Sequence, residues 1–90
     1  MILARVIGDV VSTVKEPAYE GKKILWAQPI DLQGNAKGDA MITLDAVGAG
    51  NGETVLILME GGGAQMVCGL KEPGPIGSAI VAIVDEVMPD

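Results

Sequence analysis

The sequence predicts an all-β fold, a small antiparallel β-barrel of five strands, closed or nearly so. Three observations predict it. Five extended stretches rich in Val, Ile and Leu alternate along the 90 residues, clusters of Gly, Pro, Asn and Asp separate them, and no stretch is long enough for a crossover helix. Closure removes the open sheet edges that so apolar a chain would otherwise expose.

The first strand is expected over Ile2 to Val14. Ile2, Ala4, Val6, Gly8, Val10, Ser12 and Val14 form one alternate set, and the other mixes Leu3, Ile7 and Val11 with Arg5, Asp9 and Thr13. A period of two puts the first set on the core and leaves a half-apolar outer face. The stretch KEPAYEG, Lys15 to Gly21, reads as a loop. A second strand follows over Lys23 to Ile30, with Ile24, Trp26, Gln28 and Ile30 on one side. Its Pro29 suits a strand end, because proline cannot donate to a ladder. DLQGNAKGD, Asp31 to Asp39, is a turn cluster, and a third strand spans Ala40 to Val47.

DAVGAGNGE, Asp45 to Glu53, places Gly48, Gly50 and Gly52 within five residues. A phosphate-binding glycine loop needs converging N–H groups and a helix N-terminus directly behind them. Here TVLILM, Thr54 to Met59, follows instead, which is β-branched and aliphatic, and neither the third glycine of G-x-G-x-x-G nor a Lys-Ser/Thr pair is present. The loop therefore reads as a strand-to-strand joint that needs positive φ or close backbone approach. The fourth strand runs from Glu53 to Glu60. Gly61 to Ser78 is rich in Gly and Pro, with a single helical turn expected at Ala64 to Cys68. Ser78 to Met88 fits a helix nearly as well as a strand, but its Val and Ile content favours a last, central strand.

Composition narrows the function. Several strands are apolar on both faces, yet a barrel has one inside, so the surplus predicts packing against other subunits. Six basic residues against twelve acidic give a net charge of −6, which opposes nucleic acid and anionic membrane as partners. No segment approaches the run of about 20 apolar residues that a membrane helix needs, and Arg5, Gly8 and Asp9 interrupt the N-terminus too early for a signal-peptide core. The expected location is the cytoplasm. Cys68 is the one cysteine and there is no histidine, so neither a disulfide within the chain nor a zinc site is expected, and no cofactor motif is present.

Three stretches carry a family resemblance. ARVIGDVVSTVKEPAYEGKKILWAQPID has Thr13, Lys15, Gly21, Lys23 and Leu25 in a Thr-x-Lys and Gly-x-Lys pattern, DAVGAGNGETVL covers Asp45 to Leu56, and AIVAIVDEV covers Ala79 to Val87. In these the chain resembles the EutN/CcmL family, pentameric vertex proteins of bacterial microcompartment shells. Gln65 and Gly77 depart from the family pattern, which often has Arg and Asp there. The resemblance implies a five-stranded OB-like antiparallel β-barrel with a short helical turn, assembling as a cyclic homopentamer at the corners of a polyhedral shell. Hexameric shell proteins would be its neighbours. It also gives the glycine loop a use. Gly48, Ala49, Gly50, Gly52 and Glu53, with Asp85 in the last strand, become candidate interface and structural residues, Glu53 as an acceptor for backbone N–H groups.

Two rivals come from other classes. OB-like barrels elsewhere bind single-stranded nucleic acid through a basic groove and stacking aromatics, whereas this chain offers Trp26, Tyr19 and scattered cations. Trp26 reads as packing. An enzyme would need a positioned acid, base or nucleophile, and the spacing of Asp45, Glu53 and Asp85 suggests no pair. They read as strand-end caps or interface acceptors, so no catalytic residue is expected.

Overall fold

The computed structural model describes residues 1–10, 23–59 and 77–86. They hold five strands: β1 (Ile2–Asp9), β2 (Lys23–Pro29), β3 (Met41–Asp45), β4 (Thr54–Leu58) and β5 (Ala79–Ile83). The strands close into a barrel in the order β1-β2-β3-β5-β4, with β1 bonded to β4. Four pairings are antiparallel and β3–β5 is parallel. The barrel, the strand number and the closure agree with the sequence reading. The parallel pair differs from it, since alternation marks faces and carries no strand direction. The helical turn expected at Ala64–Cys68, together with Gln65 and Cys68, lies outside the described residues.

Alternation explains what fills the barrel. Ala4 and Val6 of β1, Leu25 and Ala27 of β2, Val55 and Ile57 of β4, and Ile80 of β5 form one buried cluster with Ala49 of the glycine loop. Opposed pairs such as Val6–Ala27 and Ala4–Val55 share the inner face. Thr43 faces Leu25 across β2–β3 and is likewise fully buried. On the opposite side of β3, Leu44 lies beside Ala79 and both are also fully buried.

The strands differ from expectation in extent and in register. β5 ends at Ile83, short of Met88, where the chain bends at Asp85. The register of β1 against β2 shifts between Val6 and Gly8, so that Gly8 stands opposite Trp26. Trp26 lies between the buried Leu25 and Ala27 and therefore points outward. The bulge thus takes Gly8 out of the core set in which strict alternation placed it. Among the described residues no helix is long and apolar enough to cross a membrane.

Candidate functional site

The glycine loop joins β3 to β4 at one end of the barrel. Its form follows from Asp45, the last residue of β3. The N–H groups of Val47, Gly48 and Ala49 all donate to Asp45 Oδ1, at 3.1, 3.1 and 3.2 Å. Successive N–H groups converging on one point make an anion nest. In this protein the anion is the loop's own carboxylate, so the nest is filled from within. That geometry supports the structural joint over a phosphate cradle.

The second half of the loop is held by Glu53. Its Oε1 accepts the Gly50 N–H at 2.6 Å, and the Glu53 N–H returns to the Gly50 carbonyl at 3.1 Å. Lys23 Nζ, at the start of β2, donates to the Ala49 carbonyl at 3.3 Å. Two backbone bonds then tie the loop to β1: Gly52 N–H to the Val6 carbonyl at 2.8 Å, and Val6 N–H to the Glu53 carbonyl at 2.9 Å. Ala49 is fully buried and pins the middle of the loop to the core.

The glycines serve two different needs. Gly48 and Gly52 have φ of 77° and 88°, where a side chain is strained. Gly50 does not have positive φ. A Cβ built there would lie 3.2 Å from Glu53 Oε1, so the constraint at Gly50 is close approach to the carboxylate that its own N–H bonds. The structure therefore gathers Gly48, Ala49, Gly50, Gly52 and Glu53 into one unit. Asp85 is exposed at the bend after β5, and the preceding Val84 donates its N–H to Thr54, next to Glu53, at 2.8 Å. In the sequence Lys23 stands out only as part of the family pattern, with no tie to the glycine loop. Only the register, which sets Lys23 opposite Asp45, reveals its part.

The loop at the other end, between β2 and β3, is built on the same principle. Asp31 Oδ1 accepts the N–H groups of Gln33 and Asn35, both at 2.9 Å. The Asn35 backbone donor first, with smaller help from Gln33, the Asn35 side chain and Gly34, holds the Asp31 carboxyl below its ordinary value against a desolvation that would raise it. Arg5 reaches the Gly34 carbonyl at 3.4 Å and Gln28 the Gly38 carbonyl at 3.0 Å, from the outer face of the barrel. Beside this loop lies a cleft of roughly 760 Å³ whose lining includes Met1, Leu3, Leu32 and Met41 together with the polar Asp31 and Lys37.

Both end loops are thus tied down by their own carboxylates, and the barrel wall between them is left apolar outside at Ile7, Trp26 and Ile42. Comparison with known proteins shows where such a barrel recurs. The GrpN pentameric microcompartment shell protein from Rhodospirillum rubrum superposes with a TM-score of 0.84 at 36% identity, with 100% of each chain covered. The family profile described as "Ethanolamine utilisation protein EutN/carboxysome" matches residues 1–85. The chain belongs to this EutN/CcmL family. Among its relatives, the microcompartment shell vertex protein EutN of Salmonella typhimurium is 36% identical over 88 residues, spanning 98% of this chain and 87% of the relative. The carboxysome shell vertex protein CcmL of Synechococcus elongatus is 42% identical over 87 residues, spanning 97% and 86%. The family is one of structural shell proteins, so the protein is not an enzyme.

Proposed function

We propose that the protein assembles as a homopentamer that caps the vertices of a bacterial microcompartment shell in the cytoplasm, and that residues 1–90 form one domain for that purpose. The whole-chain likeness to a pentameric shell protein, at a TM-score of 0.84, is the observation that carries this reading. Shape supports it independently, because flat layers of hexagonal tiles close only when units of five-fold symmetry supply curvature at the corners. Its neighbours in the shell are hexameric shell proteins, met along the outer rim of the ring. Neither nucleic acid nor membrane is a partner in this scheme, in keeping with the net charge of −6. The loop residues Gly48, Ala49, Gly50, Gly52 and Glu53, with Asp85, act as a preformed joint that presents a fixed surface to the adjoining subunit. Native mass spectrometry of the purified protein at micromolar concentration tests the assembly: five copies is the expected mass, and a population of mainly monomer or dimer contradicts it.

A further inference from the structure

The outer wall of β1–β3 carries an apolar row that the barrel itself does not use. Gly8 pairs with Trp26, and Trp26 pairs with Ile42, so the three stand side by side on one face, with Ile7 at the bulge beside them. Ile7, Trp26 and Ile42 are 49%, 42% and 41% exposed. Gly8 leaves a dent next to the indole. Among the described residues nothing demands that glycine: its φ is not positive, and a Cβ there would meet none of their atoms within 4 Å.

Resting on the pentamer reading above, we propose that the row Gly8–Trp26–Ile42, with Ile7, seats the adjoining copy of this chain, with Trp26 at the centre of the subunit contact. Three facts favour a second copy as the occupant. A pentameric relative covers the whole chain, so the fold has a neighbour to seat. The row is uncharged, with Arg5, Asp9 and Lys23 at its margins, so two copies of net charge −6 can meet there without opposing like charges at the centre. A lone tryptophan ringed by aliphatic groups is also the composition of an interface hot spot, desolvated at its centre. Strands 2 and 3 of OB barrels elsewhere offer this same face to oligonucleotides. Here the isoleucines and the acidic balance supply neither the second stacking ring nor the basic groove that such binding uses. A five-fold ring is head-to-tail, so the row meets a different surface of the next copy. With about 800 Å² buried per partner in an ordinary contact, these residues are its core and other residues its rim.

The chain has one tryptophan, so its fluorescence reports on this contact alone. In the wild-type pentamer the emission is expected to be blue-shifted and several-fold less quenched by acrylamide than free N-acetyltryptophanamide. Gly8→Glu places a charge in the dent on a Cβ that meets no described atom within 4 Å, and Ile42→Glu places one on the far side of Trp26. Both are expected to give monomers by native mass spectrometry, with red-shifted, readily quenched emission and the β-sheet circular dichroism retained. A wild-type pentamer whose Trp26 is quenched as freely as the model compound overturns the proposal whether or not the variants fold. So do variants that remain pentameric, or an oligothymidylate that binds the wild type and is lost with Gly8→Glu. A wild-type protein that is not pentameric overturns the function proposed above, and this interface falls with it.

Discussion

Asp45 occupies the anion nest that its own loop builds, and the order of the first half of the loop rests on that one oxygen. Three N–H groups lose their acceptor if the carboxylate is removed. Hydrogen bonds to a charged group contribute about 1.5–3 kcal/mol, less where water can replace them, and these donors lie at a half-open site. Asp45→Ala is therefore expected to destabilise the protein by roughly 1–3 kcal/mol in urea unfolding, with Asp45→Asn, which keeps an acceptor, in between. An unchanged midpoint for Asp45→Ala would mean that the nest contributes nothing. At the other end of the barrel the same device has a pH signature. Because the folded-state pKa of Asp31 is depressed, its contribution is present above the ordinary value of 3.8 and is lost as pH falls through the lower folded value. Acid titration of stability should accordingly be flatter in Asp31→Asn than in the wild type below the ordinary carboxylate range. Identical acid limbs for the two proteins contradict the assignment.

At the scale of elements, the residue patterns place five strands correctly, and likewise the turn clusters Asp31 to Asp39 and Asp45 to Glu53, because burial of one face imposes alternation on every strand. Ala4 and Val6 of β1 are legible in this way, whereas the structure picks Leu25 and Ala27 as the inner set of β2 and Val55 and Ile57 as that of β4. Less local features are not. The bulge at Ile7 follows from pairing with β2, and nothing in ILARVIGD announces where the period slips. The end of β5 at Ile83 depends on where β4 begins, since Val84 bonds Thr54, while the apolar run itself continues past it. Positive φ was legible as a need of the glycine loop, but which glycines carry it was not: the structure assigns it to Gly48 and Gly52 and gives Gly50 a steric role. Thr43 is a further case. Its threonine suits a strand, yet Oγ1 is buried with no hydrogen-bond partner among the described residues. An unsatisfied buried hydroxyl costs about 1–3 kcal/mol, and valine has nearly the same shape. Thr43→Val is expected to raise unfolding stability by about 1 kcal/mol, read from the urea midpoint at constant m-value. A clear loss of stability would show that the hydroxyl has a partner.

For the whole molecule, the rigid ends and the apolar wall act together. In the proposed ring, a barrel without open edges, with a carboxylate-held loop at each end, offers neighbouring copies a fixed surface. A ring of five needs the same contact repeated without error, since a heterologous contact that misses closure grows into an open filament instead. The proposed function also orders the strengths of contact: in that scheme the ring persists in solution by itself, while its rim meets hexamers only at shell corners. The most direct measurement is shell assembly from hexameric shell protein with and without this protein, read by electron microscopy with the protein labelled. Closed polyhedra carrying label at sparse corner sites, and open-cornered or misjoined facets when the protein is omitted, are the predicted results. Label spread evenly over the facets, or shells sealed equally well without the protein, would contradict the vertex role.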